Sequence, residues 1–399
     1  MTNTMANDTS PTLVRRGSRS DGDLAWSRID GSGATKIYLR IRSERTGIEG
    51  QAQEVYDRLD ELLEQQGAGR ENVISEKLFF SDLESQVDAL RHRREEFYAR
   101  SGAHRPATTY LHQPPCGAED AFELQARVLF ATGPEAMTVR DLGLEEPAAG
   151  KIVSYRGYDH FYLHNLTGGE PGDDLDCQEQ WQRIFDGAEE ILEREGSSFR
   201  DVIRTWIYLP EMERDYDTLN LVRNAFFERI GVTRIPASTG IQGGVYPCDR
   251  LGAIDVYALR TQRAATVDQM HADTLNEAWE YGSAFARGMR VTREDRTVLY
   301  LSGTASVDTE GNVVHVGDIA GQVNRMLLNV EELLAASGAQ PGDIIRATTY
   351  LKHREDFDTF RRIYAERGFP TELPHTICHA DVCRPDWLVE IEVAAILPE

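Results

Sequence analysis

A chain of 399 residues, 41% hydrophobic and 27% charged, has the make-up of a globular protein with room for two or three cores. No run of eighteen apolar residues occurs, which excludes a transmembrane helix, and a net charge of −23 disfavours binding to a nucleic-acid backbone. Five cysteines (Cys116, Cys177, Cys248, Cys378 and Cys383) form no CxxC pair, so neither a zinc site nor a disulfide framework is expected, and a reducing cytoplasm is the default.

Residues 1–30 are polar, lack the apolar stretch of a signal peptide and read as a disordered tail. A strand is predicted at 36–42 (KIYLRIR). Residues 52–80 then carry apolar residues at helical spacing, a glycine at Gly67 suited to a left-handed cap, and a β-rich run from Val73. A second amphipathic helix at 82–101, a proline-marked strand start at Pro106 and a closing strand with Glu123 complete the unit. The order recurs with a strand at 160–168, the helix–strand block at 181–209, a helix at 214–230, Pro236 and Asp255. It recurs again with 298–307, 323–351, 354–367, Pro374 and Glu390. The three helix–strand blocks superpose without a gap: Leu63, Leu192 and Leu334 correspond, as do Gly67, Gly196 and Gly338. Glu-, Pro-, Ala- and Thr-rich stretches near 135–150 and 263–278 read as linkers. The chain is therefore read as three α+β repeats at 31–135, 150–262 and 275–399, each a sheet with two helices on one face.

This element order resembles the Rid (YjgF-like) family, best over YLSGTASVDTEGNVVHVGDIAGQVNRMLLNVEELLAASGA (300–339) and DYDTLNLVRNAFFERIG (215–231), which includes Asn220. Members are small chorismate-mutase-like α+β subunits that assemble as trimers, with sites in the clefts between subunits. The resemblance implies a monomer acting as a fused pseudo-trimer, with sites between adjacent repeats. Rid deaminases place an arginine two residues after the strand-start proline; here Thr108, Ser238 and Thr376 stand there, and bidentate capture of a 2-imino acid loses its anchor. Repeats two and three resemble the chorismatase family, Rid-derived enzymes that hydrolyse chorismate. The resemblance rests on RTWIYLPEM (204–212), PASTGI (236–241), GSAFARGMRV (282–291) with SGTASV (302–307), and DVCRPDWLVEIE (381–392). A complete first repeat is a departure from that family.

Cleaving the enolpyruvyl ether of chorismate needs a proton delivered to the vinyl carbon, and the resemblance gives that role to Glu390. Strand alternation places Glu390 and Glu392 on one face, where each raises the other's pKa; the competing reading is a pair facing solvent. Arg204, Trp206 and Tyr208 share a face of their strand, which suits a dianionic ring, and Arg287 is a candidate for carboxylate binding, with Arg384 a weaker one. Cys383 has no histidine near it in sequence and is read as a small residue that tunes the product rather than as a nucleophile; a cysteine there resembles the branch making 3-hydroxybenzoate. Glu123 and Asp255 are read as the acid positions of repeats one and two, without the Cys–Arg partner, so one working cleft between repeats two and three is expected. The implied chemistry uses no metal or coenzyme, and the expected partner is a small carboxylate, not nucleic acid or membrane. Two other readings compete: an enzyme of this fold acting on another small carboxylate or imine, and a non-catalytic scaffold.

Overall fold

The computed structural model describes residues 13–19, 22–31, 33–99, 105–133, 136–170, 172–273, 275–276 and 284–398. The first repeat runs β1 (Leu13–Ser18), β2 (Leu24–Gly31), β3 (Ala34–Ser43), α1 (Ile48–Gln66), β4 (Val73–Phe80), α2 (Leu83–Ala99), β5 (Ala107–His112) and β6 (Phe122–Ala131). The second runs β7 (Thr138–Asp141), β8 (Ala149–Tyr155), β9 (Tyr158–Thr167), α3 (Cys177–Arg194), β10 (Val202–Leu209), α4 (Met212–Ile230), β11 (Ala237–Gln242), β12 (Gly244–Val245) and β13 (Ala253–Thr261). The third runs β14 (Thr266–Gln269), β15 (Gly288–Thr292), β16 (Arg296–Leu301), β17 (Thr304–Ala305), α5 (Ile319–Ala336), β18 (Ile344–Leu351), α6 (Phe357–Glu366), β19 (His375–His379) and β20 (Val389–Pro398). Among the described residues these strands make three mixed sheets of one plan, such as β1-β2-β3-β6-β4-β5, with β12 lent by repeat two to the edge of the first sheet.

Local chemistry explains the helices. In α3 the buried residues Trp181, Ile184, Phe185, Ala188 and Leu192 recur at helical spacing and pack on the sheet. Asp176 accepts from the Glu179 backbone N–H at 2.8 Å while the Glu179 side chain accepts from the Asp176 N–H at 3.0 Å, a reciprocal cap worth about 1 kcal/mol. At the other end Gly67, Gly196 and Gly338 take φ of 72°, 72° and 78°, so a side chain at any of them would strain the turn.

The repeats begin earlier than the sequence suggested. Residues 13–18 and 24–31, expected within the tail, are the two leading strands of the first sheet, and β7 and β14 lie in the expected linkers. β1, β7 and β14 are short, polar and half-exposed, so they carry little of the alternation that reveals a strand. The strand expected at 298–307 is also broken: β16 stops at Leu301 and β17 resumes at Thr304.

The faces away from the helices meet at three seams. Gly244 pairs with His112 between repeats one and two, Ala237 and Ile241 with Ala286 and Val382 between two and three, and Pro115 with Cys378 between one and three. Pairing register also aligns the closing strands. Phe79, Tyr208 and Tyr350 hold equivalent positions in β4, β10 and β18, and face Glu123, Ala253 and Glu390. The second-repeat counterpart of Glu390 is therefore Ala253. Asp255 faces Trp206, as Glu392 faces Thr348 and Gln125 faces Lys77, so it matches Glu392, two residues away from the position assigned from spacing.

Candidate active site

Strand β20 carries two carboxylates onto the seam between repeats two and three, and the surroundings separate them. Glu392 accepts from Arg204 Nη2 at 2.6 Å, from Trp206 Nε1 at 2.8 and 2.9 Å, and from Thr239 Oγ1 at 2.7 Å. Burial alone would raise its pKa, but the Arg204, Lys77 and Arg346 charges prevail and hold it at about 2. Glu390 is 3% exposed and has no hydrogen-bond or ion-pair partner among the described residues. Burial first, then the charge of Glu392, push its carboxyl up to about 8 against the pull of Arg204 and Arg287. At neutral pH one acid is thus charged and its neighbour protonated, the division of labour that general-acid chemistry needs.

Glu390 lines a narrow cleft. Repeat two supplies Tyr216, Arg223, Ser238 and Gly240 to its wall; repeat three supplies Phe285, Arg287, Gly303, Cys383, Trp387 and Glu390 among others. Arg287 is 4% exposed, and its Nε and Nη2 are fixed on Asn276 at 2.7 and 2.9 Å. Room for the Glu390 carboxyl depends on Gly303, where a Cβ would lie 1.8 Å from Glu390 Oε1. Cys383 stands beside the acid, and burial above all, then the Glu390 charge, push its thiol up to about 12. A protonated thiol is a poor nucleophile, and it packs as a small apolar group.

The structure brings Glu390, Cys383 and Arg287 to one cleft. It does not bring the other three candidates there. Arg204 is 1% exposed and spent on Glu392, which puts it behind the acid instead of in front of a substrate. The Tyr208 hydroxyl lies at the seam between repeats one and two, 2.6 Å from Lys77 Nζ and 3.3 Å from Asp255. Alternation places Arg204, Trp206 and Tyr208 on one face, but the first two meet Glu392 and the third, farther along the strand, meets Lys77 and Asp255. Arg384 donates to the Gly311 carbonyl at 2.6 Å and lies over the Trp387 ring at 5.0 Å, behind the residues that line the cleft.

Arg223 is the functional candidate that sequence reasoning missed. It sits on α4 at 3% exposure and lines the cleft opposite Arg287. The signal was available: Arg223 falls four residues after buried Leu219 and three before Phe226, a cation on the apolar stripe of its helix.

The two other seams differ in chemistry. Glu123 is 2.9 Å from Arg40 Nε and accepts from Thr376, while Asp255 accepts from Thr109 at 2.6 Å beside Lys77. Among the described residues no three His, Cys, Asp or Glu side chains are grouped so as to hold a metal ion.

Comparison with known proteins agrees with this architecture. The family described as endoribonuclease L-PSP matches residues 283–397. A chorismatase of Streptomyces hygroscopicus is 30% identical over 212 residues, 47% of this chain and 60% of that protein. Another, of Streptomyces rapamycinicus, is 36% identical over 223 residues, 49% of this chain and 64% of its own. The 3-aminoacrylate deaminase RutC of Acinetobacter baylyi is 32% identical over 99 residues, 25% of this chain and 78% of the deaminase. The chain thus spans less than two thirds of each chorismatase sequence. A crystal structure of a chorismatase superposes with a TM-score of 0.58 at 20% identity, covering 82% of this chain and 94% of that one, which shows a shared fold.

Proposed function

Since this chain belongs to the endoribonuclease L-PSP (Rid) family, with three such domains in tandem, we propose that it is a chorismatase-like enzyme whose acid is Glu390 at the seam of repeats two and three. The observation that carries the reading is the divided carboxylate pair: Glu390 protonated in a cleft, Glu392 charged behind it.

Arg287 and Arg223, on opposite walls, bind the two carboxylates of chorismate. Glu390 gives its proton to the methylene carbon of the enolpyruvyl ether, the C=C pair forms the new C–H bond, and an oxocarbenium cation is left on the ether carbon. Glu390, now an anion 3% exposed, stabilises that cation. Water adds to the cation, the resulting hemiketal breaks its bond to the ring oxygen, and pyruvate and a dihydroxycyclohexadiene carboxylate leave. Capture by the neighbouring ring hydroxyl instead of water, its proton returning to Glu390, closes a cyclic ketal; loss of a ring C–H proton with cleavage of the adjacent ring C–O bond, whose oxygen takes up a proton, aromatises the ring, and the hemiketal left behind breaks to pyruvate and a hydroxybenzoate. Cys383, small and uncharged beside the acid, fits a part in choosing between these ends. The protein works as a single chain in a reducing compartment; the five cysteines are unbridged, and no helix among the described residues is long and apolar enough to cross a membrane.

Incubation with chorismate is expected to release one pyruvate per chorismate consumed, read by a lactate dehydrogenase coupled assay. Glu390→Gln should lower turnover by about 10²–10⁴-fold while chorismate still binds. Wild type that binds chorismate without releasing pyruvate would leave a Rid-fold enzyme of another small carboxylate or imine. Lack of any binding would leave the scaffold. The residues Thr108, Ser238 and Thr376 at the clamp positions weigh against ordinary 2-imino acids.

A further inference from the structure

We infer that the point where the three sheets meet is a binding site for a small multivalent oxyanion of the phosphate or sulfate class, separate from the Glu390 cleft. A small cavity lies there, and all three repeats line it: Ser75, Lys77, Gln125 and Arg127 from the first, His164 from the second, Arg346 from the third.

The charges around it do not balance. The acids nearby are already engaged: Glu76, which lines the cavity, with Arg94 at 2.9 Å, Asp255 with Lys77 at 3.3 Å and Glu392 with Arg204 at 2.6 Å. Among the described residues no carboxylate lies within ion-pairing distance of Arg127 or Arg346. Both guanidinium groups lie over the same Tyr38 ring, 5.4 and 5.5 Å from its centroid; Arg127 also lies over Tyr162 at 4.7 Å, and Arg346 over Trp206 at 5.4 Å. The Nε of each is buried without a hydrogen-bond partner. Arg127 is 9% exposed, and Lys36 next along its sheet is equally buried and also lacks a carboxylate. The aromatic faces offset only part of what a buried, unpaired charge costs.

An oxyanion in the cavity resolves both deficits. It accepts from Arg127 and Arg346, has the Lys77 ammonium as a third cation, and meets Ser75 and Gln125 as neutral donors. Three cations, Lys77 and Arg127 from the first sheet and Arg346 from the third, suit a tetrahedral ion of charge two better than a planar carboxylate. In a chain of net charge −23 this interior cluster is a local exception that neither the surface nor the acid site calls for. The ion would tie the three repeats together at their common centre.

Thermal unfolding in inorganic phosphate or sulfate, against chloride at matched ionic strength, tests the site. The melting temperature is expected to rise by a few degrees and saturate with phosphate in wild type and equally in Glu390→Gln. Arg346→Met and Arg127→Met should each lose the rise, and calorimetric titration of wild type with phosphate should give one site per chain. If one of these variants does not fold, the other is read. Equal melting temperatures in all three salts would overturn the site, as would a full phosphate response in both arginine variants. A response abolished by Glu390→Gln would place the ion in the acid cleft and overturn it equally. None of these readouts uses chorismate, so the site stands or falls apart from the proposed reaction.

Discussion

Glu390 and Glu392 are two residues apart on β20 and have opposite electrostatic fates, because only one of them meets a guanidinium. This divergence fixes two pH responses. With Glu390 at about 8, kcat/KM for pyruvate release should fall about tenfold per pH unit above that value, since only the protonated carboxyl can donate. Stability follows by linkage. Between its ordinary 4.5 and about 8, the folded chain holds a proton at Glu390 that the unfolded chain has released. The unfolding free energy therefore drops with rising pH, by up to about 1.4 kcal/mol per unit from this group. Urea titrations from pH 5 to pH 8 should show that slope in wild type and a flatter one in Glu390→Gln. Glu392 acts in the other direction: held at about 2, it stabilises the fold above its ordinary 4.5, and that contribution is lost as the pH falls towards 2. Cys383 is a different kind of neighbour. With its thiol pushed up to about 12, Cys383→Ala should keep turnover within about tenfold, a range set by general-base or nucleophile losses being far larger, and change the ratio of hydroxybenzoate to diol seen by chromatography.

At the scale of elements, what separates a working cleft from a closed one is the strand facing the acid. In repeat one β3 is unbroken, and its Arg40 reaches Glu123 at 2.9 Å and neutralises it. In repeat three the corresponding strand is interrupted between β16 and β17, and Ser302–Gly303 stand where Arg40 would be. The Ser302 N–H donates to the Arg287 carbonyl and the Gly303 N–H to the Ser238 carbonyl, so the break also joins the cleft's two walls. Gly303→Ala would set a methyl 1.8 Å from the Glu390 oxygen and force the carboxyl to move. The atom displaced is the free end of a side chain, so the expected stability loss is modest, about 1 kcal/mol, while pyruvate release should fall by more than tenfold. Circular dichroism melts beside the coupled assay separate the two effects.

Over the whole molecule, three repeats close on one another through three seams, and the residues at those seams come from segments hundreds of positions apart, such as Thr376 on Glu123. A chain with all three seams filled internally has no seam left for a second copy. Sedimentation should therefore give a species of about 45 kDa, the mass of one 44.9 kDa chain; a species three times heavier would contradict the fused arrangement.

The sequence by itself determined the repeat, because helix periodicity, the glycine caps at Gly67, Gly196 and Gly338 and the β-rich runs are local properties of contiguous residues. It likewise put Glu390, Cys383 and Arg287 within reach of one another, since a family pattern links the strands that carry them. The leading strands β1, β7 and β14 were not legible, for edge strands with half-exposed polar faces leave no periodic trace. Nor was the pairing of Arg204 with Glu392, the match of Asp255 to Glu392 instead of Glu390, or the place of Arg223 in the cleft. Those depend on hydrogen-bond register between strands and on which faces meet across a seam. Register and seam contacts are set by packing between distant segments, and only the tertiary structure decides them.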